Sequence, residues 1–378
     1  MAKLGDIATI QSGGTPARSI AEYWEDGTIP WVKISDIKSK HLNQTEEMIT
    51  EAGLENSSAK IFPKGTILYT IFATLGETSI LDINAATNQA IAGISITDSR
   101  VLPDYLYYYL LSQKIHVQKI GRGVAQNNIN MKLLRDFDVP LPSKEAQLNI
   151  IEQLNRVTEL LFLRKQQLTK LDELIKARFV EMFGTYPDNP FGWNTGKIQD
   201  VVSDVRYGSS RPAVEGGKYP YLRMNNITYA GELDLTDTKR IDVPDSELDK
   251  CTVQRDDVLF NRTNSKELVG KTCVYNRDDM MVLAGFVIRV RVNERILPEF
   301  LVAFLNTDFS KQMLLGMCKT AIGQANINAK EMQNIGLYIP PIALQEQFVD
   351  LKKQTDKSKL LAELFAQSTC ILAGNRSK

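Results

Sequence analysis

Ile29-Pro30-Trp31-Val32-Lys33-Ile34-Ser35-Asp36-Ile37 comes back, altered but in order, as Tyr219-Pro220-Tyr221-Leu222-Arg223-Met224-Asn225-Asn226-Ile227. The echo extends in both directions. Lys3-Leu4-Gly5-Asp6-Ile7 returns as Lys197-Ile198-Gln199-Asp200-Val201, Gln126-Asn127-Asn128-Ile129-Asn130 as Gln324-Ala325-Asn326-Ile327-Asn328, and Val139-Pro140 with Gln147 as Ile339-Pro340 with Gln347. A period of about two hundred residues is far longer than a solenoid unit. The chain therefore reads as two similar globular domains whose offset drifts through loop insertions. Two similar domains carry two similar sites.

Each copy opens with a polar, glycine-rich turn, Ser12-Gly13-Gly14-Thr15-Pro16 and Tyr207-Gly208-Ser209-Ser210-Arg211-Pro212. Short β-branched runs follow, such as residues 66–72, 281–283 and 286–292, the last alternating as a half-buried strand does. Pro103-Asp104 and Pro298-Glu299 each open a short helix. The expected class is α+β, with recognition domains at residues 1–142 and 185–342.

From Ser143 to Phe183 there is neither Gly nor Pro, and Ser143 and Gly184 supply start and stop signals. Residues 143–184 are thus one long helix. Leu154, Leu161, Leu168, Ile175 and Met182 recur every seventh residue, and Val157 and Leu171 fill interleaved sites, although Arg164 and Arg178 take others. Such a seam needs a partner helix. Residues 343–378 supply it: Ala343 to Leu372 is again free of Gly and Pro through Leu372, with Leu344, Phe348, Leu351, Leu361, Leu364 and Phe365. An antiparallel coiled coil is expected, holding the domains apart as a spacer.

The 378 residues suit two domains, and 45 basic against 45 acidic side chains leave no net charge. Neither domain is basic: residues 1–142 hold 13 basic and 15 acidic side chains, and 184–342 hold 19 and 20. Any polyanion site is therefore a local patch. Cys251, Cys273, Cys318 and Cys370 lack zinc spacing or a duplicated disulfide framework, so reduced thiols are expected. Without a signal peptide or a run of eighteen apolar residues, a cytoplasmic protein is expected, with no membrane partner.

Catalytic signals are missing. Gly270-Lys271-Thr272 lacks the upstream glycine of a phosphate loop, where Ser265 stands. His41 and His116 are the only histidines and belong to one copy. Asn189-Pro190-Phe191 lacks the second proline of the motif that holds a flipped base, and Asp256-Asp257 and Asp278-Asp279 read as solvated turns. Both copies retain instead hydrogen-bonding side chains beside glycine turns and strand ends. These are Thr15, Lys33, Ser35, Asp36, Thr74, Asn88 and Gln89 in the first, and Ser209, Arg211, Arg223, Asn225, Asn226, Arg262, Thr263 and Asn264 in the second. Arg pairs with guanine and Asn or Gln with adenine in the major groove, so such loops can read bases. If Arg223 reads guanine, Arg223→Ala should relax one base position, whereas a uniform loss across sequences would make it a phosphate contact.

The duplicated strings, with Gly65-Thr66-Ile67-Leu68, Thr87-Asn88-Gln89-Ala90-Ile91 and the two long helices, make the chain resemble the specificity subunit of type I restriction-modification systems. The resemblance covers essentially the whole chain. It implies two target-recognition domains, each reading half of a split site in double-stranded DNA. The helices would bind two methyltransferase subunits and act as a ruler for the unread spacer. The chain would be no enzyme and would bind no cofactor: S-adenosylmethionine, with ATP and Mg for motor-nuclease subunits, would be carried by partners. Two readings from other classes stay open here, a DNA-binding fragment of a split methyltransferase or nuclease and a coiled-coil scaffold whose end domains bind protein.

Overall fold

Both quoted segments are a strand running into a tight turn. Ile29–Val32 and Tyr219–Leu222 are strands, and Ile34–Asp36 and Met224–Asn226 are single 3-10 turns after them. Each turn is closed by its own sequence: the Lys33 N–H donates to Asp36 Oδ2 at 2.9 Å, and the Arg223 N–H to Asn226 Oδ1 at 2.8 Å. The computed structural model describes residues 1–121, 128–321 and 324–375. Gln126 and Asn127 lie outside them, as do the side chains of Gln324, Leu364, Phe365 and Cys370 and of residues 373–378.

The chain forms two compact units with bodies Met1–Phe162 and Leu163–Ile371. In the first, a five-stranded sheet has the order Ala8–Ser12, Ile91–Ile96, Ile67–Thr70, Thr78–Leu81, His41–Leu42. A four-stranded sheet carries Ile29–Val32 between Glu47–Ile49 and Ala85–Thr87, with Ile61–Phe62 at its edge. The second unit repeats this with Val202–Tyr207, Val287–Val292, Val258–Asn261 and Thr272–Val274, and with Tyr219–Leu222 between Lys239–Ile241 and Met281–Leu283. Even the parallel pairing recurs, Trp31 beside Ala86 and Tyr221 beside Val282. The second unit adds a three-stranded sheet, Thr263–Asn264, Gln324–Asn326 and Lys319–Ala321.

The turn glycines are there for close approach. A Cβ on Gly13 would lie 2.1 Å from Thr87 Oγ1, and one on Gly208 would lie 2.2 Å from the Leu283 carbonyl oxygen. Two loops can therefore touch at the same place in each copy.

The central helix is Lys144–Phe183, and the C-terminal helix is Ile342–Asn375. Gly184, at φ +81°, ends the first. Phe179 and Phe183 join Phe300 and Phe348 in an aromatic cluster with centroids 4.9–5.8 Å apart. Phe348 meets Phe179 while Lys359 pairs with Asp172, so the two helices run antiparallel over this stretch. Leu154, Val157, Leu161, Leu168, Leu171, Ile175 and Leu351 are half-buried, and Phe348 is buried. Leu361 departs from the expected seam, being 57% exposed. The inward positions are Phe348, Thr355 and Lys359, and Leu361 follows Lys359 by two residues, roughly 200° around the helix.

The match of Gln147 to Gln347 is corrected by two residues. Gln147, fully buried, accepts from the Leu102 N–H and donates to the carbonyls of Arg100 and Pro142. Gln345, also fully buried, does the same with Leu297, Arg295 and Pro340. Pro142 thus answers Pro340. Gln345→Leu leaves three backbone groups without their bonds, of which the Pro340 carbonyl is buried, at roughly 1–3 kcal/mol for a buried group left unsatisfied. Calorimetry should show the second unit melting earlier, and Gln147→Leu should do the same to the first.

Two other expectations change. Arg289 stands at an outward position of an alternating strand, yet it is 2% exposed because a second sheet packs over that face and Asp204 meets it at 2.7 Å. Asp257 is 1% exposed and bonded to Arg291 at 2.8 Å, so only its neighbour Asp256 is a solvated turn. Asp278 and Asp279 are exposed and paired with Arg255 and Arg277.

Candidate nucleic-acid interface

In the first copy three loops converge. The Gly14 N–H donates to the Thr87 carbonyl at 2.8 Å, the Asn88 N–H to the Val32 carbonyl at 3.0 Å, and the Trp31 indole to the Gly14 carbonyl at 3.0 Å. These bonds bring Thr15, Asn88 and Gln89 beside the Lys33-Ser35-Asp36 turn. The Thr15 hydroxyl bonds Gln89 Oε1, while Asn88 Oδ1 accepts from the Ala90 N–H. Ser35 is exposed. Asp36 is spent on its own turn and on the Glu46 N–H. Thr74 is exposed in a separate hairpin, where Phe72 bridges to Asn128.

The positive charge here is already answered. Lys33 Nζ lies 2.9 Å from both Glu46 and Glu47, which hold the ammonium well above its usual range. The Lys33 hydrogen bond holds Glu46 below the ordinary carboxylate range, and the Arg18 bond, joined by that of Lys33, does so for Glu47 against burial. Arg18 also lies over Trp24, 3.7 Å from the ring centroid. Sequence reading missed this pair, although an arginine near two tryptophans is a signal.

The second copy repeats the convergence. The Ser209 N–H donates to the Leu283 carbonyl at 2.6 Å, the Gly285 N–H to the Ser209 carbonyl at 2.7 Å, and the Tyr221 hydroxyl to the Arg211 carbonyl at 3.0 Å. Arg211 is paired with Glu247 and Arg223 with Asp237, at 2.7 and 2.8 Å. Asn225 is exposed, but Asn226 is buried and also donates to the Asp234 and Asp237 carbonyls, a structural use. Arg262, Thr263 and Asn264 adjoin the same turn through Gly285. The Arg262 N–H donates to the Phe286 carbonyl, Thr263 Oγ1 lies 3.0 Å from Asn326 Oδ1, and Asn264 Nδ2 donates to Asn261 Oδ1. Sequence reading passed over Phe286, 53% exposed, and used Tyr207, 43% exposed, only as a turn residue.

Among the described residues no group of His, Cys, Asp and Glu could hold a metal, and no helix is long and apolar enough to cross a membrane. Lys271 is buried, its Nζ donating to the Met224 carbonyl, as a core lysine rather than a phosphate ligand. Cys251 and Cys273 are buried free thiols, and Cys318 is a half-buried one.

One polar recognition frame built twice in a single chain defines a two-site recognition protein. The profile of the family described as type I restriction modification DNA specificity domain matches residues 1–173 and 190–365, and the chain belongs to that family. It is a non-catalytic, sequence-specific DNA-recognition component of a multisubunit system. The MjaIX specificity subunit of Methanocaldococcus jannaschii is 30% identical over 60% of this chain and 57% of its own length. The EcoKI specificity subunit of Escherichia coli is 21% identical over 92% and 80%. A solved structure, described as the structural basis of complex assembly and conformational transition of the type I R-M system, shares the fold at a TM-score of 0.58. It is 18% identical and covers 98% of this chain and 96% of its own.

Proposed function

We propose that each copy reads one half of a bipartite site in double-stranded DNA. The chain thereby directs adenine methylation, and cleavage where a motor-nuclease subunit joins, by partner subunits in the cytoplasm. The observation that carries this reading is the repeat of the convergent loops, Gly14 bonded to Thr87 as Ser209 is to Leu283, with different side chains on the loops and on the strand beside them. Thr15, Asn88 and Gln89 offer hydrogen bonds in the first copy; Arg262, Thr263 and Asn264 offer them in the second. Two methyltransferase subunits would bring S-adenosylmethionine, and the motor-nuclease subunits ATP and Mg. The near-neutral charge fits a chain that shares phosphate contacts with those partners.

The chain expressed with its methyltransferase subunits should produce methylation at one two-part motif, mapped by methylation-sensitive sequencing. Purified alone, it should neither bind S-adenosylmethionine nor transfer a methyl group. Methyl transfer by the chain alone, free of contaminating methyltransferase, would defeat the proposal.

A further inference from the structure

The strand registers superimpose the copies residue by residue. In the first, Ala92 lies opposite Ser12 on one side and Tyr69 on the other. In the second, Ile288 lies opposite Tyr207 and Phe260. Ser12 therefore answers Tyr207, and the residue two beyond Tyr69 answers the one two beyond Phe260: Ile71 answers Arg262. The backbone confirms it. The Ile71 N–H donates to the Ala90 carbonyl at 2.8 Å, and its carbonyl accepts from Ile129 at 3.1 Å. The Arg262 N–H donates to the Phe286 carbonyl at 3.0 Å, and its carbonyl accepts from Ile327 at 2.9 Å.

On this common frame the side chains could hardly differ more. Ile71 is buried beside a small Ser12. Arg262 lies with its guanidinium carbon 4.8 Å from the centroid of the Tyr207 ring. Tyr207 is itself pinned, its hydroxyl accepting from the Ala329 N–H at 2.9 Å. Arg262 Nη1 donates at 3.4 Å to the Gly285 carbonyl, and its Nε is buried without a partner. Arg211, Arg223 and Lys33 are each neutralised by a carboxylate within 3 Å. No carboxylate among the described residues pairs with Arg262. Its backbone is bonded on both sides and its plane is stacked, which pre-organises a planar donor fork for a bidentate acceptor.

We infer that Arg262, held by Tyr207, is the guanine-reading residue of the second copy, in place of Arg223, and that Tyr207 is its positioning residue. The inference rests on the DNA-reading role proposed above. Stacking on Tyr207 fixes the guanidinium plane so that its free edge can meet guanine N7 and O6 in the major groove, while Thr263 and Asn264 follow along the same strand.

The test uses the full chain with its methyltransferase subunits and maps the methylated motif in cells. Arg262→Ile installs the residue that the first copy carries on the same frame, and Arg262→Lys keeps the charge but removes the fork. Each should relax one G·C position of the second half-site, with discrimination there falling roughly 5- to 150-fold, and leave the first half-site unchanged. Tyr207→Leu should relax the same position, whereas Tyr207→Phe, which keeps the ring, should retain the motif. A wild-type motif in Arg262→Ile, or methylation reduced evenly at every position with Arg262→Lys restoring it, would overturn the assignment; the second result would make Arg262 a phosphate contact. If the unaltered chain directs no site-specific methylation, the DNA-reading role itself fails, an outcome distinct from an unchanged motif in the variants.

Discussion

Replacing residues 1–142 with the first domain of another family member should rewrite one half of the methylated motif and leave the other half as it was. The first unit's largest core cluster, Leu4, Ile67, Tyr69, Ile94, Leu106 and their neighbours, is drawn from its own residues, and the second unit's cluster runs from Phe179 to Val349. The junction falls before Gln147, whose three bonds go to the backbone at Arg100, Leu102 and Pro142. Backbone partners do not depend on side-chain identity, and Gln345 makes the same three backbone bonds in the second copy, so an incoming domain can be received. Each altered base pair is worth roughly 1–3 kcal/mol, so two altered pairs shift preference by one to four powers of ten. Methylation-sensitive sequencing reads the result. If both halves of the motif change, or neither does, one reader per copy is the wrong assignment.

What the sequence showed and what it hid divide along physical lines. The central helix was legible because the absence of Gly and Pro between Ser143 and Gly184 acts locally, and its capping signals are local too. The duplication was legible because framework strands keep their order. Register was not: Val-Pro and Ile-Pro dipeptides look alike, and the offset shows only in the strand pairing and in the buried bonds of Gln147 and Gln345. Leu361 fitted an apolar pattern, but Lys359 took the inward position through its pairing with Asp172. The candidate readers were legible as a polar set near glycine turns. Which of them is free was not, because the carboxylates that neutralise Lys33, Arg211 and Arg223 come from residues 13–36 positions away.

Arg289→Met should produce a large loss of stability in the second unit. The guanidinium is 2% exposed and donates to Asp204 Oδ2 at 2.7 Å and to the carbonyls of Thr252 and Asp249 at 2.5 and 3.3 Å. Burial opposes the charge on Asp204, yet the bonds from Arg289 and Arg206 hold its carboxyl below the ordinary range. Removing the cation leaves that carboxylate with the half-exposed Arg206 alone and strips two carbonyls of their donor. Breaking a buried pair from one side costs about 3–5 kcal/mol, which in a unit of this size lowers the melting midpoint by roughly 6–20 °C. A lowered carboxylate pKa gives stability that is complete above the unfolded-state value, about 3.9, and that disappears as pH falls through the folded-state value. The gap between wild type and Arg289→Met should therefore be wide at neutral pH and narrow in acid. The first copy shows what the frame does without the pair. Gly93 holds the equivalent register position, opposite Gln11 as Arg289 is opposite Arg206, and the Phe62 ring fills the space, 2.3 Å from where a Cβ would be. An apolar filling is thus compatible with this sheet, and Arg289→Leu combined with Asp204→Leu should recover most of the loss. Hydrogen exchange across residues 281–292 locates the effect in the second unit. An unchanged midpoint in Arg289→Met, or a double variant no better than the single one, would show that the pair is not what holds the two sheets together.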